Sequence, residues 1–166
     1  MTDFDNLVRE VLKREGGYVN HPDDRGAATN MGITQRTYTM WLNEKGLGYK
    51  DVRDITKAQA VEIYKWRYWY PSRCDVLPRE IRDIHFDSAV NHGVTRAGKL
   101  LQAACGAKRD GLVGPATLAL VASMSIHLLR ARYIIERYKF YGEIIRRDRT
   151  QVSFIAGWLH RMESFT

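Results

Sequence analysis

Glu15 stands where an apolar helical stretch ends, and the run after it carries groups that do chemistry: Glu15-Gly16-Gly17-Tyr18, then His21-Pro22-Asp23-Asp24-Arg25, then Thr29-Asn30-Met31-Gly32-Ile33-Thr34. Two glycines let the backbone pass close to the glutamate, and two further carboxylates follow in a polar loop. Such a set suits cleavage of a glycosidic bond. One carboxyl stays protonated and donates to the leaving oxygen; another stays ionised and steadies or attacks the oxocarbenium-like centre, or activates water. A glutamate in water, with a pKa of about 4.3, is only about 0.2% protonated at pH 7. Raising that pKa to about 6 makes roughly 9% protonated, a shift worth about 2.3 kcal/mol. Burial at a helix C-terminus supplies such a shift twice over, because desolvation disfavours the anion and so does the negative end of the helix. Glu15 occupies such a position, whereas Asp23 and Asp24 lie in a polar loop that keeps them ionised. From spacing alone, a surface glutamate at a helix end and turn-forming aspartates fit the same residues.

The elements that must hold these groups read as helices almost throughout. Phe4, Leu7, Val8, Val11 and Leu12 recur at helical spacing, with Thr2 and Asp5 as a capping box, and Gly16-Gly17 stops the run. Residues 18–33 form an irregular loop rich in Gly, Pro, Asp and Asn, with room for a short hairpin. Thr34 caps a helix carrying Tyr38, Trp41 and Leu42, and Thr56 with Gln59 makes a capping box for the next. An aromatic run, Trp66 to Tyr70, ends at Pro71. Helices are expected over 79–92 and 96–105, from Pro115 onward, over 126–147, and in a last segment capped by Thr150. The expected fold is all-α, with seven to eight helices, and no convincing strand pair, internal repeat or low-complexity linker is present.

The chain has 166 residues, enough for one domain with a substantial core. Hydrophobic residues make up 45% and charged residues 27%, which excludes intrinsic disorder and disulfide-dense mini-scaffolds. No apolar stretch approaches the ~18 residues of a membrane span. The opening MTDFDNLVRE has no basic segment followed by an apolar run, which excludes an ordinary signal peptide. Cys74 and Cys105 lack metal-ligand spacing, so no zinc site is expected, and free thiols fit better than a disulfide. The net charge of +7 lies wholly in residues 91–166, which hold 12 basic and 5 acidic side chains. Arg130, Arg132, Arg137, Arg146, Arg147 and Arg149 suggest a face that meets a polyanion. In this helix the arginines interleave with Tyr and Ile at core spacing, which argues against nucleic-acid recognition.

Glu-Gly-Gly-Tyr, then Pro-Asp-Asp, then Thr-x-x-Gly-Ile-Thr resembles glycoside hydrolase family 108. These are phage and bacterial peptidoglycan hydrolases, N-acetylmuramidases with a lysozyme-like helical fold. The resemblance covers the whole chain. It implies a catalytic part in residues 1–90 and a helical peptidoglycan-binding part in 91–166, packed as one compact unit. It implies Glu15 as catalytic acid, with no metal or organic cofactor. Glu15 to Asp24 is the nine-residue step of phage lysozymes, so Asp24 is the first candidate for the second carboxylate, with Asp23 and Asp87 as alternatives. The loop departs from the family pattern at His21, Arg25 and Ala27. The substrate-binding candidates are Tyr18, Thr29, Thr34, Trp69, Tyr70 and Asn91. Tyr18 matches the motif; Thr29 and Thr34 would position water or substrate, although Thr34 fits a helix N-cap equally well. Trp69 and Tyr70 offer ring faces for sugars, against the alternative of core packing. Asn91 would bind an acetamido group, against the alternative of a polar network between helices.

Asp110-Gly111-Leu112-Val113-Gly114-Pro115-Ala116-Thr117 is similar to the signature of peptidoglycan-binding modules, a largely structural motif. The expected activity is cleavage of the β-1,4 bond between N-acetylmuramic acid and N-acetylglucosamine. The expected partner is the peptidoglycan glycan strand, without nucleic acid or stable membrane insertion. Such an enzyme is made in the cytoplasm and acts in the periplasm or cell wall after a holin or another export route releases it. The competing reading is a cell-wall-binding or secretion-regulating protein on a lysozyme-like scaffold, without turnover.

Overall fold

Phe4, Val8 and Val11 recur at helical spacing because they form the buried stripe of α1, Asp3–Arg14. Asp3 and Asp5 in its first turn complement the positive end of the helix. The computed structural model describes residues 3–14, 17–19 and 28–166. These form two compact units, residues 1–69 and 70–166.

In the first unit a hairpin follows the loop. β1, Thr29–Asn30, pairs antiparallel with β2, Ile33–Thr34, placing Thr29 opposite Thr34 and Asn30 opposite Ile33. The two connecting residues, Met31 and Gly32, both have positive φ (50° and 72°), the twist a two-residue hairpin requires. Gly32 adopts it without strain. The hairpin delivers the chain into α2, Gln35–Glu44, with Thr34 as N-cap accepting from the Thr37 N–H. A 3-10 turn, Val52–Asp54, precedes α3, Lys57–Tyr64, which opens on the expected Thr56–Gln59 capping box. One π-helical turn, Lys65–Trp69, continues α3. Residues five apart share a face in such a turn, so Trp69 follows Tyr64 inward.

In the second unit α4, Arg79–His92, packs on α5, Val94–Cys105, and both pack on α7, Ile126–Arg147. Between α5 and α7 lies α6, Pro115–Ser123, which starts on its proline as expected. Ile81, Ile84, Leu101, Leu129, Tyr133 and Met162 lie in the shared core. α5 begins two residues before the expected start, because Gly93 turns the chain with φ 82°. The last segment also differs from expectation. Thr150 does not cap the final helix; Asp148 caps a 3-10 turn, Arg149–Phe154, by accepting from the Thr150 N–H, and α8 runs Ile155–Glu163. Cys74 and Cys105 are both free and buried, and burial pushes the Cys74 thiol up to about 12. Among the described residues no single helix is long and apolar enough to cross a membrane.

Candidate functional site

Glu15, Asp23 and Asp24 lie outside the described residues, so the structure speaks through what flanks them in the chain. α1 ends at Arg14. Beyond it, Val19 pairs with Thr29 by two backbone hydrogen bonds of 2.8 and 2.9 Å, bringing the start of the 18–33 loop back to its end. Thr29 Oγ1 lies 3.5 Å from the Val19 carbonyl, at the long limit of a hydrogen bond. The Arg53 guanidinium sits over the Tyr18 ring, 4.8 Å from its centroid, and donates to the Tyr18 hydroxyl at 3.2 Å. That bond holds the Arg53 pKa above its ordinary value. Tyr18, Thr29 and Thr34 thus belong to one loop framework around the hairpin. Within it Thr34 Oγ1 accepts from the Thr37 N–H at 3.2 Å, the bond of a helix cap, and donates to the Thr37 hydroxyl at 3.0 Å.

A Cβ on Gly17 would meet no atom of the described residues within 4 Å, so no close approach there demands a glycine. Two residues that the motif reading passed over organise this region. Asn30 is buried and donates to the carbonyls of Val52 and Arg53 at 3.2 and 3.0 Å, tying the hairpin to the 3-10 turn. Arg53 then reaches Tyr18. The signal for Asn30 was available: an amide next to the turn of a short hairpin.

The aromatic candidates separate. Trp69 is 6% exposed and packs edge-on against Phe4 at 5.2 Å, so it is a core residue and offers no ring face to a sugar. Tyr70 is 54% exposed. In the second unit Asn91 is exposed and donates to the Asp87 carbonyl at 2.7 Å, a bond within α4. Asp87, an alternative second carboxylate, is 4% exposed. One oxygen accepts from Arg137 Nη1 at 2.8 Å and the other from Arg161 Nε at 2.9 Å. Both oxygens thus face guanidiniums in the interior, and Asp87 is structural rather than available to a glycosidic centre.

The proposed basic face shrinks for the same reason. Arg137 is fully buried on Asp87 and the Tyr141 hydroxyl, and Arg130 grips Asp83 by two bonds of 2.8 and 2.9 Å. Arg132, Arg146, Arg147 and Arg149 remain exposed.

The 110–117 motif converges on a residue the sequence did not mark. Gln102 donates to Asp110 Oδ1, the Leu112 carbonyl and Thr117 Oγ1 at 2.8, 3.1 and 3.3 Å, and its Oε1 accepts from the Gly111 N–H at 2.8 Å. The Gln102 and Leu112 N–H bonds hold the Asp110 carboxyl below its ordinary range. A Cβ on Gly98 would lie 2.4 Å from the Gly111 carbonyl oxygen. The motif is a packing device.

His85 is buried, with Nε2 2.9 Å from the Ser72 carbonyl and Nδ1 2.9 Å from the Tyr133 hydroxyl. A carbonyl only accepts, so Nε2 carries the proton. Burial pushes His85 down to about 4, and His92 likewise, so both are neutral at pH 7. Among the described residues no group of three His, Cys, Asp or Glu side chains could hold a metal ion.

Residues 8–93 match the profile of the family described as "Glycosyl hydrolase 108", and residues 96–163 match one described as "Predicted Peptidoglycan domain". The solved structure of Brucella abortus SagA is similar to this chain at 34% identity and a TM-score of 0.80, over 98% of this chain and 90% of that one. No curated protein matches the chain. The eight helices and single small hairpin of the described residues form a mostly-α, lysozyme-like fold. The family matches run from residue 8, within α1, to residue 163, at the end of α8, and the chain belongs to glycosyl hydrolase family 108 and carries a peptidoglycan-binding region.

Proposed function

We propose that the protein is an N-acetylmuramidase of the lysozyme type, cleaving the β-1,4 bond between N-acetylmuramic acid and N-acetylglucosamine. The observation that carries this reading is the glycosyl hydrolase match over 8–93, which spans Glu15, followed directly by a peptidoglycan-domain match. Glu15 protonates the leaving oxygen, and Asp24 is the second carboxylate, at the anomeric carbon or its water. Tyr18 and Thr29 support the reading through the framework that closes the 18–33 loop. Catalysis belongs to residues 1–90 and wall binding to 91–166. The protein is made in the cytoplasm and reaches the periplasm or cell wall through a holin or another export route.

The test is digestion of purified sacculi by the wild type and by Glu15→Gln, with mass spectrometry of the fragments. The expected result is muropeptides with new muramic-acid reducing ends from the wild type and none from a folded Glu15→Gln. A folded wild type that releases nothing but still pellets with sacculi establishes the competing reading, a wall-binding or secretion-regulating protein without turnover.

A further inference from the structure

The second unit contains a cleft of about 470 Å³ whose walls include Asn91, His92, Tyr141, Gln151, Trp158 and Arg161. Its chemistry is unbalanced. Arg137 and Arg161 both bond to the single carboxylate of Asp87, so two guanidiniums share one negative charge. Arg161 donates to Asp87 through Nε, while its Nη2 is buried and has no hydrogen-bond partner among the described residues. His92 Nε2 is in the same condition. Its ring packs on Phe140 and Tyr141 at 5.0 and 5.6 Å. Buried polar atoms are rarely left unpaired, because each costs on the order of 1–3 kcal/mol. Arg161 Nη2 can only donate, so beside an uncompensated cation it describes a missing acceptor with negative charge; His92 Nε2 joins it in the tautomer that carries the proton there.

The apolar wall narrows the choice. Trp158 stacks on Tyr141 at 5.0 Å and on Phe154 at 6.3 Å. The indole is already stacked on two neighbouring rings, and it lines the cleft as a wall.

We propose that this cleft binds a carboxylate of a peptidoglycan stem peptide, with Arg161 Nη2 and His92 Nε2 as its partners and Asn91 at the rim. The choice of ligand rests on the reading of the protein as a peptidoglycan hydrolase; the anion site itself rests on the unpaired nitrogens and the charge. Within peptidoglycan, the stem peptide offers carboxylates on short aliphatic bodies that fit beside Trp158. The site is built from second-unit residues alone and would anchor the enzyme to the peptide while the glycan is cut.

The test is calorimetric titration of the full-length wild type with the tetrapeptide L-Ala-γ-D-Glu-meso-diaminopimelate-D-Ala, which has no glycosidic bond to cut. Saturable binding is expected, with affinity reduced at least about fivefold by Arg161→Lys, which keeps the charge and a donor for Asp87 but loses the fork. His92→Phe keeps the ring packing and removes Nε2, and is expected to weaken binding similarly. The same peptide with its carboxylates amidated is expected not to bind. Equal affinity in both variants, or equal binding of the amidated peptide, overturns the proposal. So does displacement of the peptide by inorganic phosphate at equal concentration, which would mark a site for any small anion. A wild type that digests sacculi but does not bind the peptide overturns this site alone; failure of both overturns the hydrolase reading with it.

Discussion

The two units use polar residues in opposite ways. Among the described residues, the buried polar side chains outside the first unit are Ser72, His85, Asp87, Ser88, Gln102, Thr117 and Arg137; inside it there is Asn30. In residues 70–166 the polar groups hold the interior together: Asp87 neutralises Arg137, His85 bridges Ser72 and Tyr133, and Gln102 gathers the 110–117 loop. In residues 1–69 the polar groups sit at the edge, where Tyr18, Thr29 and Arg53 frame a loop joined by backbone pairs. The difference teaches what a motif means in each place. A signature in the second unit is explained by packing, and its residues are poor candidates for contact with substrate. A signature in the first unit mixes roles: Gly32 turns the hairpin, Asn30 and Ile33 are buried and Thr34 caps α2, whereas Gly17 meets no atom of the described residues that demands a glycine.

The sharpest way to break this contrast is at Asp87. Asp87→Asn leaves two guanidiniums around a neutral amide, and stability to urea is expected to fall by about 3–5 kcal/mol. A loss under about 1 kcal/mol would show that the buried pair is not what holds the second unit.

Acid probes the same interior. An unfolded histidine titrates near 6.5, whereas His85 is pushed down to about 4 in the fold. The unfolded chain therefore binds the extra proton between those values. Stability contributed by neutral His85 is full above pH 6.5 and declines as pH falls toward 4, by on the order of 3 kcal/mol. His92 acts with the same sign over the same window. Denaturation midpoints at several pH values measure the slope, and His85→Gln is expected to flatten it.

A paired glycine experiment compares the two motif regions directly. Gly98→Ala drives a Cβ into the Gly111 backbone, which cannot give way as a side-chain tip would, and about 1–3 kcal/mol is expected to be lost. Thr34→Ala removes the cap of α2 at about 1 kcal/mol. Sacculus digestion by this variant, measured below its melting range, separates the cap from any substrate role. Gly17→Ala is expected to change stability by less than about 0.5 kcal/mol. If its digestion of sacculi falls all the same, the glycine serves the chemistry beside Glu15.

Local rules made much of the fold legible. α4 and α7 occupy the expected 79–92 and 126–147, because a helical stripe needs only the spacing of its own apolar residues. The Thr56–Gln59 box and Pro115 were readable because a cap is a contact over three residues or a single fixed φ. The 18–33 loop left room for a hairpin, and the strands found there are two residues each. Thr150 misled because Asp148, two residues earlier, competes for the same capping role and accepts both its N–H and its hydroxyl.

The sequence by itself determined the helices, the family and Glu15 as the first residue to test, since all three rest on local spacing and on motif residues close in the chain. Only the tertiary structure decided which side chains face inward. Trp69 and Tyr70 are adjacent and aromatic, yet one is core and the other exposed, because a π-helical turn set the phase between them. Arg137 looked like part of a basic face until Asp87, fifty residues away, took its charge. Composition and periodicity count charges along a chain, whereas burial and pairing depend on which distant helix lies against each one, and that is a property of the packed fold alone.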